Sequence, residues 1–126
     1  MKFYIASRTA RANDILKIRD RLTELGHEVY DWTTFATIQR PYIESEVAPI
    51  AAEELDAIKK ADVFVLLGDE GGTGMYVELG FALATNTKIY SVGNHNEVTV
   101  FQYLPSVTRL ESFEEVLIDL DSSQSA

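Results

Sequence analysis

Two spacings of apolar residues take turns along the chain. Short, nearly unbroken apolar runs read as buried strands: Lys2 to Ala6, His27 to Trp32, Asp62 to Leu67, Lys88 to Val92 and a short Val107 to Leu110. Between them, apolar residues recur at helical spacing. Ala10 to Leu25 carries Ile15, Ile18, Leu22 and Leu25 on one face, and Gly26 closes it. Glu44 to Lys60 reads as a second helix, with Pro49 near its first turn or marking a kink. Met75 to Asn86 is a third, and a last helix opens at Glu111 or Ser112 and runs to about Leu120. Thr33 to Tyr42 reads as a loop, Gly68 to Gly74 as a glycine-rich turn, and Asp121 to Ala126 as a frayed polar tail.

Strand and helix alternate throughout, which implies βαβ units, right-handed crossovers and a parallel sheet covered on both faces. The predicted fold is α/β: a three-layer sandwich on a five-stranded, mainly parallel sheet of flavodoxin or Rossmann type, as one domain over residues 1–120. In such sheets ligands bind beyond the carboxyl ends of the strands, where the strand order switches. That rule selects Ser7 to Arg11, Asp31 to Thr34, Gly68 to Gly74 and Gly93 to Asn96.

Two carboxylates break the pattern. Glu78 is the only charge on a helix that is apolar all round and therefore reads as buried. Placed in the first turn after the glycines, it is favoured as an ion by the helix dipole and free amides; it serves a ligand, or it caps its own helix with Thr73 or Gly74 nearby. At 100° per residue, Val47, Ile50, Ala51, Ile58 and Ala61 form the inner stripe of the second helix, and Glu54 falls within it. Either it reaches the carboxyl edge of the sheet or it forms a structural ion pair. Two carboxylates at one pocket edge allow divided labour, one ionised as nucleophile and one holding a proton, as in glycosidic bond cleavage.

Other candidates surround them. Gly71, Gly72, Thr73 and Gly74 precede a helix and offer backbone amides to a ligand, or serve turn geometry alone. Ser7 and Arg8 form a second anion-friendly corner, although Arg8 also reads as a surface residue. Trp32, after Asp31, stacks on a base or caps the core. Tyr4 has a plain core reading, and so does His27. His27 and His95 lie far apart in sequence, so no metal site is expected, and there is no Ser-His-Asp set.

Composition narrows the classes. The chain of 126 residues has no cysteine, which removes disulfides, thiolate zinc sites and a cysteine nucleophile and suits a reducing compartment. The start reads as a strand rather than a signal peptide, so a cytoplasmic protein is expected. A net charge of −9 disfavours a nucleic acid polymer or an anionic membrane as partner. Arg8, Arg11, Lys17, Arg19 and Arg21 nevertheless crowd the first helix region, leaving room there for one small anion.

Three segments resemble the nucleoside 2-deoxyribosyltransferase superfamily, which includes the deoxynucleoside 5′-monophosphate N-glycosidases. Gly74 to Ala84 is similar to its glycine–glutamate–leucine–glycine helix start. Glu54 to Asp62 resembles the segment that opens on an active-site aspartate, and Lys2 to Arg8 the first strand with its tyrosine. Tyr30 to Thr33 and Tyr103 to Pro105 resemble small bacterial and phage members. The resemblance implies Glu78 as nucleophile on the anomeric carbon, with Tyr4 holding it. It implies Glu54 as partner of the leaving base, a nucleoside or nucleotide substrate, no cofactor, and a homo-oligomer. Glu54 departs from the family aspartate by one methylene. A non-catalytic nucleotide-binding module and a TIR-like NAD glycohydrolase are the alternatives.

Overall fold

A computed structural model describes residues 1–30 and 38–125 of the chain. Five strands, β1 (Lys2–Ala6), β2 (Glu28–Tyr30), β3 (Val63–Leu67), β4 (Lys88–Val92) and β5 (Val107–Leu110), form one sheet in the order β2-β1-β3-β4-β5, every neighbouring pair parallel. This is the flavodoxin-like order, and its switch point lies between β1 and β3. The central β3 is buried along its whole length, as its five consecutive apolar residues require.

The helices are α1 (Ala12–Glu24), α2 (Glu44–Lys60), α3 (Thr73–Ala84) and α4 (Phe113–Ser125). Arg21 of α1 donates to Glu114 of α4 at 3.1 Å, which ties those two helices together on one face. Helices α2 and α3 pack side by side on the other. The three-layer sandwich expected from the alternation is therefore present, with Phe3, Ile5, Tyr4, Phe64, Leu66 and Ile89 among its fully buried side chains.

Five local expectations are corrected. Helix α1 starts at Ala12, because Thr9–Arg11 forms a 3₁₀ turn. Pro49 lies inside α2 at its sixth residue, beyond the first turn. Helix α4 runs through Ser125, so the expected polar tail is helical that far. No α-helix joins β4 to β5 among the described residues; that crossover contains only a 3₁₀ turn, Val100–Tyr103. Finally, α3 is not buried all round: Val77 is 68% exposed and Gly80 and Ala84 face outward. The last two corrections share a cause, since a thin crossover leaves the flank of α3 uncovered.

Helix α2 overhangs the sheet. Its 17 residues span about 25 Å at 1.5 Å per residue, against about 17 Å for a five-residue strand. Its N-terminal half extends past the carboxyl edge, which is why Ala51, on the predicted inner stripe, is exposed while Ile58 is fully buried. Glu54 sits at the change-over, partly buried.

Candidate active site

Three aromatic rings form the floor of the site. Tyr4 on β1 is in register with Tyr30 on β2 and Phe64 on β3. The rings stack at centroid distances of 5.4 Å and 5.7 Å. Tyr4 is fully buried, so its core reading holds, and its hydroxyl also donates to the Glu78 carboxylate. Burial first, then Glu78, pushes its phenol far above the ordinary tyrosine range, so Tyr4 keeps its proton as a donor.

Glu78 reaches this hydroxyl from α3. It is the sixth residue of the helix, in the second turn, and no side chain caps the helix start. The capping reading and the first-turn dipole argument therefore both fall. Its Cα–Cβ bond leans toward the helix N-terminus, as in any α-helix, which aims the carboxyl at the carboxyl edge of the sheet. Glu54 comes from α2 and meets Glu78 across the seam between the two helices. Together with Ala51, Leu55, Gly74 and Val77 they line a cavity of about 240 Å³. No ion pair involving Glu54 occurs among the described residues, so of its two readings the carboxyl edge is the one realised.

Burial is the largest influence on both carboxyls. It pushes Glu78 up to about 8, with the negative charge of Glu54 adding to the rise and the Tyr4 hydrogen bond opposing it. It also raises Glu54, with Glu53 adding to the effect. Burial therefore favours a proton on the pair, and it does so most strongly at Glu78. Burial thus works against the ionised Glu78 that a first-turn position implied.

The glycine loop and the first strand meet as expected. Arg8 lies flat on Gly71 and Gly72: a Cβ built at Gly72 falls 2.6 Å from Arg8 Cγ, and one at Gly71 falls 3.1 Å from its Cζ. Gly72 also has φ +84°, a backbone conformation that favours glycine. A Cβ at Gly74 meets nothing. Thr73 is the exposed first residue of α3, and Ser7 donates to the Arg8 carbonyl at 2.9 Å. Asp31 and Trp32 lie outside the described residues. His95 contributes its carbonyl, accepting from Gln102 Nε2 at 2.9 Å, and its ring lies close enough to Asp69 to help hold that carboxyl down.

Several residues at the site carry little sequence signal. Tyr30 donates to Glu53 at 3.1 Å, and burial with that contact pushes its phenol up. Asp69 and Tyr76 lace the glycine loop together: the Tyr76 hydroxyl donates to the Asp69 carbonyl at 2.5 Å and accepts from the Asp69 amide at 3.2 Å. A tyrosine on an otherwise apolar helix needs a hydroxyl partner, and that was the available clue. Gln102 is fully buried, donating to Ser91 at 3.0 Å and accepting from the Thr99 amide at 2.9 Å. No sequence period marks it.

A second, larger groove of about 650 Å³ runs along the other side of α3, between Val77, Gly80 and Ala84 and the segment holding Thr99, Phe101 and Leu104. Its lining has no charged side chain and only Tyr76 as a titratable one, whereas both carboxyls line the smaller cavity. Among the described residues no three histidine, aspartate or glutamate side chains gather as a metal site, and no helix is long and apolar enough to cross a membrane.

Fold and site together define a flavodoxin-like α/β domain with a buried tyrosine–carboxylate–carboxylate cluster at its switch point. No family model and no curated protein matches the chain. Among solved structures it is similar to the CMP N-glycosidase BcmB of Clostridium botulinum. The two share 19% sequence identity with a TM-score of 0.65, and the match covers 98% of this chain and 99% of that one. At this identity the likeness is one of fold, and it extends over essentially the whole of both chains.

Proposed function

We propose that this protein cleaves, or transfers the sugar across, the N-glycosidic bond of a nucleoside or nucleoside 5′-monophosphate, with Glu78 as nucleophile. The observation that carries this reading is the Glu78 carboxyl, buried at the carboxyl edge of the sheet between the Tyr4 hydroxyl and Glu54. The full-length fold likeness to an N-glycosidase supports it.

The substrate lies over the 240 Å³ cavity with C1′ above Glu78. Positive charge developing at C1′ draws Glu78 into its ionised form, and the proton held by the pair then resides on Glu54. Glu78 attacks C1′ as the bond to the base breaks, giving a glycosyl-enzyme ester, and Glu54 delivers the proton to the departing base, directly or through water. Tyr4 holds the nucleophile in place. Ser7, Arg8, Thr73 and the Gly71–Gly74 backbone hold the 5′ end of the sugar. Water or a second base takes the sugar from Glu78.

A homo-oligomer, dimer or larger, belongs to the same reading and is supported by the exposed apolar groove beside the site. A nucleotide-binding module without turnover is the second reading, favoured by Glu54, which stands where the similar family segment opens on an aspartate.

Base release from a panel of nucleosides, their 5′-monophosphates and NAD, followed by chromatography with wild type and Glu78→Ala side by side, tests the proposal. Release by wild type and none by the variant, with the fold intact by circular dichroism, is the expected result. Equal release by both removes Glu78 as nucleophile. Tight binding without release points to the binding module, and nicotinamide release to NAD cleavage.

A further inference from the structure

Two tyrosine–carboxylate pairs stand side by side in the site. Tyr4 donates to Glu78, and Tyr30 donates to Glu53 at 3.1 Å. The register of β1 with β2 holds the two rings 5.4 Å apart, with their planes at 9°. Glu54 belongs to neither pair and adjoins both: it meets Glu78 across the seam, and Glu53 precedes it on α2. Successive residues of a helix project about 100° apart. Glu54 therefore turns to α3 while Glu53 turns to the edge strand β2. Glu53 is exposed, and an exposed glutamate gives up rotamer freedom only for a partner. The Tyr30 hydroxyl is that partner, and burial pushes its phenol up, so it keeps its proton as a donor.

Among the described residues, the charged and titratable groups that bear on Glu54 are Glu78 of α3, Tyr4 of β1, Tyr30 of β2 and Glu53 of its own helix, and none is a cation. Burial alone favours the proton on Glu78. Two contacts work the other way. The Tyr4 hydrogen bond favours ionised Glu78, and the negative charge of Glu53 favours protonated Glu54. The neighbours of Glu78 on its own helix, Val77 and Leu79, carry no charge. Resting on the glycosidase reading above, we propose that Glu53, anchored by Tyr30, is a positioning residue that assigns the roles of the two buried carboxyls: its charge holds their shared proton on Glu54 and leaves Glu78 free as nucleophile. As the bond to the base breaks, that proton passes from Glu54 to the base nitrogen. Glu54 is then an anion beside Glu53, and it takes a proton back from the water or second base that displaces the sugar from Glu78.

Glu53→Gln removes the charge and keeps a side-chain oxygen for Tyr30, whereas Tyr30→Phe removes the anchor and keeps the ring stack. The first readout is the pH profile of kcat for base release. A step that needs protonated Glu54 slows as pH rises through the titration of that group. Glu53→Gln is expected to move this basic limb down by about half a pH unit, a loss of about threefold in kcat on its basic side, with KM little changed. Tyr30→Phe moves it the same way by less. The second readout needs no turnover: the side-chain carboxyl resonances of Glu54 and Glu78 are followed against pH in isotope-labelled protein. Glu53→Gln is expected to lower the titration of Glu54 more than that of Glu78. An unmoved basic limb, or a Glu54 titration that moves no more than that of Glu78, overturns the proposal. If wild type cleaves no substrate, the glycosidase reading fails, and the carboxyl titration alone decides whether Glu53 places the proton.

Discussion

Glu78 combines a chemical opportunity with a thermodynamic cost. A carboxyl whose folded-state pKa lies above its unfolded one binds more protons in the folded state, so the stability it contributes is lost as pH rises through the interval from 4.5 to about 8. Glutamine resembles the protonated form and carries no such penalty. Glu78→Gln is therefore expected to melt above wild type at pH 8, by several degrees for a difference on the order of 1–3 kcal/mol. The gap should close toward pH 4.5. Equal melting temperatures at both pH values would show that Glu78 does not bear the proton. Tyr4→Phe keeps the ring stack and loses only the donor to Glu78. Hydrogen bonds to charged groups contribute about 1.5–3 kcal/mol, which corresponds to a loss of about 10- to 100-fold in kcat with KM little changed. A shift in KM alone would place Tyr4 in binding rather than in positioning the nucleophile. Glu54 was legible from helical phase because an inward carboxylate violates a strong pattern. The pairing of Arg8 with Asp69 was not, since the two lie 61 positions apart and neither breaks any local rule.

The least helix-like connection, between β4 and β5, shapes the surface most. The loop after β4 passes directly over the end of β3, and Gly68 makes room for it: a Cβ there falls 2.2 Å from the His95 carbonyl oxygen. Backbone cannot yield as a side-chain tip can, so Gly68→Ala displaces this loop and the Gln102 network that hangs from it. A loss on the order of 1–3 kcal/mol is expected by urea unfolding. Glycine at position 74, where a Cβ meets nothing, serves as the control, and Gly74→Ala should be close to neutral or mildly stabilising. Equal effects at the two positions would refute the packing argument. Strands were the most legible elements, because continuous apolar runs such as Val63–Leu67 leave little choice. Helix boundaries were less so. Thr73 and Gly74 have poor intrinsic helix propensity but are held in the first turn of α3 by its packing on β3.

For the whole molecule, the exposed groove along α3 sets the expectation about assembly. Val100 is 75% exposed and Phe101 56%, beside the outward face of α3, and soluble monomers rarely leave so much contiguous apolar surface uncovered. Size-exclusion chromatography with light scattering is expected to find wild type as a dimer or larger and Phe101→Glu shifted toward monomer. A monomeric wild type at all concentrations would remove the oligomer from the proposed function.

The alternation of apolar runs and helical stripes was enough to determine a parallel α/β sandwich and its approximate elements, because periodicity and right-handed crossovers admit few other arrangements. It also singled out Glu54 and Glu78, since a charge in an apolar stripe is costly unless it serves a purpose. Only the tertiary structure decided how deeply the pair is buried and that Tyr4 meets it, because β1, α2 and α3 are three separate elements. It alone showed that Asp69 occupies the corner of Arg8 and Gly71, and that a thin crossover exposes α3. Those outcomes depend on distances between residues far apart in sequence, and no local pattern of side chains encodes a distance.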